Sequence, residues 1–176
     1  MNSSLQAHIE NIANKLEQFI NWTGRLVSWL VLAMVLVMFC VVVLRYVFDM
    51  GWIALQESIS YFHSIVFLMG AAYTLQHDGH VRVDIFYSRL SEKAKAWVNF
   101  LGHVFILTPV MVFIIWVSWS YVMNAWDVQE SSREAGGLPG LYLIKSLILI
   151  MAALLIVQAS ALSLRAVLQI TRSKTA

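Results

Sequence analysis

The sequence predicts an all-α integral membrane protein with four transmembrane helices and an N-terminal amphipathic helix, and three observations carry that prediction. The first is composition: 60% of the 176 residues are apolar and only 12% are charged, against about a quarter charged in an ordinary soluble domain. So little charge does not cover a water-facing surface, which excludes a soluble enzyme, a nucleic-acid binder and a secreted domain. The second is segregation. Stretches without Asp, Glu, Lys or Arg extend over 26–44, 58–76, 96–126 and 146–164, half the chain in all. A hydrocarbon core about 30 Å thick needs roughly 20 apolar helical residues to cross it, and each stretch is of that length or longer. The third is periodicity, found ahead of the first stretch.

There Leu5, Ile9, Ile12, Leu16, Phe19 and Ile20 recur at steps of three and four, with Glu10, Asn14, Lys15, Glu17 and Gln18 between them. This spacing predicts an amphipathic helix over 4–22, capped by Ser3 or Ser4 and lying in the headgroup plane. The alternative is a plain extension of the first span. That span, 26–46, follows mostly polar residues and exceeds a signal-peptide core in length, so it is expected to stay in the mature protein. Cys40 lies within it, has no second cysteine to pair with, and reads as a small hydrophobe.

The second span, 56–76, carries a polar stripe. Gln56, His63, Gly70 and Tyr73 share one face, and Glu57, Ser60, Ser64, Ala71 and Thr74 form an adjacent one. Small residues let helices approach, and Ser, Thr and His bond across them, so this side is expected to meet protein, with Phe67 on the opposite flank. In the link that follows, Asp78-Gly79 signals a turn. His77 and His80 are too few ligands for a metal, and Arg82 with Asp84 is expected to form an ion pair in a solvated turn or a docking point. Ser91 and Glu92 start a short basic helix that leads into the third span, 97–122, where Pro109 is expected to kink or tilt a long apolar stretch. The fourth span, 141–164, offers Ala152, Ala153, Gln158, Ala159 and Ser160 as a second packing face.

No acidic or basic side chain falls in mid-span, where a carrier or exporter working alone keeps one, and no internal repeat is visible. The titratable groups inside the spans are His63 and His103. They stand about 9 Å and 12 Å from opposite edges at 1.5 Å per residue, an arrangement unsuited to clasping one haem iron. Nine of the twelve Lys and Arg lie at the two termini or in the middle link, against Arg45, Arg133 and Lys145 elsewhere. That bias places both termini in the cytoplasm and leaves Asp127, Glu130 and Glu134 on an acidic outer face. Trp22, Trp29, Tyr46, Trp52, Trp97, Trp119 and Trp126 fall near span ends and read as interfacial belts.

Several runs are characteristic beyond composition: Arg45-Tyr46-Val47-Phe48, Trp52, Gln56-Glu57, Gly70-Ala71-Ala72-Tyr73, Asp78-Gly79-His80-Val81-Arg82-Val83-Asp84, then Trp126, Glu130-Ser131, Pro139 and Lys145. Their order and spacing resemble the small membrane subunit, of the DctQ type, of tripartite ATP-independent periplasmic (TRAP) transporters, from about Arg25 to Arg165. The resemblance implies a single small-permease domain over 1–176, in the separate rather than the fused form, in the inner membrane of a bacterium. It also implies a large multi-span permease and a periplasmic solute-binding protein as partners. Substrate and sodium sites then lie in the large subunit, with no cofactor here and a scaffold role for this chain in organic-acid uptake. Arg45, Trp52, Gln56, Glu57, Ser60, His63, Ser64, Gly70, His80, Arg82, Asp84, Glu130 and Lys145 become the candidates for subunit contact. The competing reading is a four-helix haem or quinone anchor of a respiratory enzyme.

Overall fold

In a hydrocarbon environment every backbone N–H and C=O must find its partner within its own segment, so long apolar stretches with few interruptions become long helices. The computed structural model describes residues 3–81 and 84–172. Arg82 and the side chain of Asp84 lie outside the described part, and with them the expected ion pair. The elements are α1 (Ser3–Val47), α2 (Ile53–Gln76), the short α3 (Asp84–Tyr87), α4 (Glu92–Leu101), a π-helical stretch (Gly102–Leu107), α5 (Thr108–Asp127) and α6 (Leu141–Arg172). The stretch from Glu92 to Asp127 is one spanning unit, and with α1, α2 and α6 it makes four helices long and apolar enough to cross a membrane.

Local chemistry sets the helix ends. The Ser91 hydroxyl accepts the Ala94 N–H at 3.3 Å and starts α4. At the end of α2, Asp78 takes φ 56°, and the Gly79 N–H then donates to Thr74 O at 2.9 Å, closing the helix in the left-handed way that Gly usually supplies. Gln129 at φ 46° does the same after α5, where the Glu130 N–H reaches Ala125 O at 2.9 Å. Pro109 offers no N–H to the turn before it. The π-helical residues lie immediately upstream, and the Thr108 hydroxyl donates to His103 O at 2.8 Å.

α6 is the central element and packs on α1, α2, α4, the π stretch and α5. Its Ala152, Gln158 and Ala159 are fully buried against neighbours within this chain, whereas Ala153 and Ser160, expected on the same packing face, are exposed. The amphipathic segment is likewise used internally. It runs into the first span as one continuous 45-residue helix. Its inner side, with Ala13, Ile20, Thr23 and Val27, is buried, while Leu5, Ile12, Phe19 and Trp22 face outward. Close packing holds α1 to α2 at Gly24, where any Cβ would collide with the Tyr73 ring.

One core cluster joins Ile20, Ala72, Met111, Ala152, Leu154 and Leu155. Met111 and Leu155 are the midpoints of their charge-free stretches, but Ile20 precedes its own, whose midpoint is Val35.

Candidate functional site

The start of α1, the end of α6 and the end of α2 lie at one end of the bundle, and the α1–α2 and α5–α6 links at the other. At the latter end the candidates Glu57, Glu130 and Lys145 turn inward. Glu57 accepts the Leu138 N–H at 2.7 Å and the Ser132 hydroxyl, and Ser132 Oγ in turn accepts the Glu134 N–H at 3.1 Å. Gly137 fits against this knot because a Cβ there would come 2.7 Å from the Glu57 carboxylate. Lys145 pairs with Glu130 and lies 4.1 Å from the Tyr121 ring centroid. These three residues fasten the α5–α6 link to the helix ends. Two hollows, of about 220 and 520 Å³, flank the fastening and share Arg133 and Leu141 in their walls.

At the terminal end the fastening is one that sequence reasoning missed. Arg165 donates through Nε and Nη2 to the two carboxylate oxygens of Glu17, at 2.9 and 2.7 Å, and through Nη2 to Asn14 at 2.6 Å. The fork geometry suits such a two-point bond, but the partners are 148 residues apart and no local spacing announces them. Beside it lies a polar hollow of about 270 Å³ lined by Gln76, Asp78, Tyr87, Asn99, His103 and Arg165 among others. Gln158, fully buried on α6, has neither amide atom bonded. The His77 ring contacts Tyr73 O at 2.9 Å, and His80 is exposed. Among the described residues no group of three His, Cys, Asp or Glu comes together as a metal site. His103 lines the hollow at the terminal end, whereas His63 faces outward on α2, so the two do not converge on one centre.

Of the remaining described candidates, Ser60 and His63 are exposed and Gln56, Ser64 and Gly70 half-buried. Arg45 and Trp52 lie on the surface at the link end. Along α2, Gln56, Ser60, His63, Phe67, Gly70 and Thr74 follow one another at steps of four and three along one side of the helix, exposed at Ser60, His63 and Phe67 and half-buried at the other three. Phe67 belongs to this seam, not to an opposite flank: it is 70% exposed and its ring lies 6.1 Å from that of His63, nearly parallel. The alternation itself, legible in the sequence, contained that information. Ser64 stands at the edge, its hydroxyl bonded to Ser60 O at 2.8 Å, and Thr74 likewise donates to Gly70 O at 3.0 Å. Neither Gln56 nor His63 makes a side-chain hydrogen bond. A groove of about 410 Å³ runs past Phe67, Gly70 and Thr74 toward Met151 and His80.

A family model described as "Tripartite ATP-independent periplasmic transporters, DctQ component" matches residues 34–169. The chain belongs to the DctQ family. The match takes in α2, the whole α4–α5 unit and nearly all of α6. DctQ proteins are the small subunits of TRAP transporters, not enzymes, and they function with a large permease component and a binding protein. This overturns the respiratory-anchor reading and makes the chain a multi-pass inner-membrane transporter subunit. No curated protein and no solved structure matches the chain.

Proposed function

We propose that this DctQ chain is the scaffold subunit of a sodium-coupled, binding-protein-dependent importer of organic acids, and that it supports the large permease without handling substrate or sodium itself. The observation that carries this reading is where the charges go. Glu57, Glu130, Lys145 and Arg165 are bonded to this chain's own links and helices, and no acidic or basic side chain is left at mid-span to bind an anion or a cation in transit. Selectivity for a dicarboxylate, α-keto acid or sugar acid then rests with the binding protein and the large permease. Proteoliposomes containing the large permease, with binding protein outside and a sodium gradient, should take up substrate only when this chain is included. Undiminished uptake without it would refute the scaffold role.

Both termini are assigned to the cytoplasm, on the Lys and Arg bias. The link end, with its fastened α5–α6 loop, then faces the periplasm and the binding protein. Alkaline phosphatase fused at Gly136 should be active and fused at the C-terminus inactive, and the reverse pattern would invert the assignment.

A further inference from the structure

Resting on that reading, we propose that the seam from Gln56 to Thr74 seats one transmembrane helix of the large permease. That helix runs alongside α2 at a shallow left-handed crossing, places a bulky apolar side chain at Gly70, and turns a hydrogen-bonding side chain toward His63. The spacing is the first argument. Alternating steps of four and three set these six residues in one line along α2, the line a helix wound beside it in coiled-coil fashion would meet.

The second argument is polarity. His63 stands ten residues into α2, about 15 Å from its start, with an outward ring that makes no hydrogen bond. A polar ring left against hydrocarbon is costly, and such groups in spans face protein or water. The hydroxyls of Ser64 and Thr74 are already bonded to their own backbone, so His63, Gln56 and Ser60 are the groups on this side that still need partners. The third argument is space. A Cβ built on Gly70 meets nothing within 4 Å, so this chain's own packing does not require glycine there, and the adjoining groove is open to an outside side chain. A second copy of the chain fits less well. A symmetric parallel pair would set Gly70 opposite Gly70 and Phe67 opposite Phe67, hollow against hollow and bulk against bulk.

The test uses the whole transporter in membranes, with a photo-crosslinking benzoylphenylalanine placed singly at Ser60, His63, Phe67 and Thr74, and at Phe113 and Trp116 on α5 as the comparison. The seam positions should yield an adduct of this chain with the large permease, and the α5 positions should not. Adducts at twice this chain's mass, adducts on α5 instead, or only lipid adducts on the seam while the complex stays intact would each overturn the seam. In parallel, Gly70→Leu should lower the co-purified permease about tenfold, as overpacking of a close contact does, while the chain alone keeps its thermal stability. His63→Leu should lower it about threefold, the scale of one interhelical hydrogen bond, and His63→Gln should restore it. Unchanged co-purification in both Leu variants would refute the proposal. Failure of the wild-type chain to co-purify would bring down the scaffold reading as well, whereas wild-type co-purification with adducts on α5 brings down the seam alone.

Discussion

Along α5 the side chains that face away from the bundle include Phe113, Trp116, Val117 and Trp119, and along α2 they include Ser60, His63 and Phe67. Both faces are open in the isolated chain and both belong to membrane-spanning helices. The α5 surface is dominated by large apolar side chains, with Ser120 and Asn124 as small polar exceptions. The α2 surface mixes an unbonded imidazole, small residues and one aromatic at heptad-like steps. Since a helix gains no hydrophobic free energy on leaving lipid for apolar protein, exposure alone does not separate a lipid face from a subunit face. Polar groups without partners, and hollows without occupants, do separate them. The same lesson appears at the two ends of the bundle, where charges that look available for docking are already used to fasten this chain to itself.

The largest effect expected from this contrast concerns two glycines. Gly24→Leu drives a side chain into the Tyr73 ring and should cost about 1–3 kcal/mol, lowering Tm of the isolated chain by roughly 5 °C. Gly70→Leu should leave that Tm within about 1 °C, because its surroundings are empty, and act only on the complex. Equal Tm values for both variants would erase the distinction between an internal and an external helix contact. A thermal scan in detergent reads it directly.

A smaller effect is expected at the link end. Glu57→Ala removes the acceptor for the Ser132 hydroxyl and the Leu138 N–H, so the α5–α6 link should open and be cut several-fold faster by a protease within 133–137. Lys145→Ala should affect it less, since Glu57 still holds the loop. Unaltered cleavage in Glu57→Ala would return this carboxylate to the list of residues free to contact a partner. The smallest effect is expected at the terminal end. Arg165→Ala should speed amide exchange in 5–20 by no more than about fivefold, the scale of a half-exposed ion pair, and exchanging the charges with Glu17→Arg and Arg165→Glu should restore protection. No change in exchange would show that apolar packing at Ala13 and Ile20 holds α1 to α6 unaided.

Much of this protein follows from the sequence by itself. The four spans, the turn at Asp78-Gly79, the Ser91 cap and the irregularity before Pro109 arise from local requirements, namely transfer of side chains into hydrocarbon and satisfaction of each backbone group within a few residues, and local requirements are legible in order along a chain. Which side of each helix is buried was decided only in three dimensions. α1 carries the most apolar span and is among the least buried, whereas α6 is the most buried, because lipid and protein interior are nearly equivalent surroundings for an apolar side chain and hydropathy does not choose between them. Glu57 with Ser132, Arg165 with Glu17, and Gly24 against the Tyr73 ring are likewise products of tertiary packing. Each joins residues far apart in the chain, and what selects them is the matching of shape and hydrogen-bond geometry between helices, which no single stretch of sequence contains.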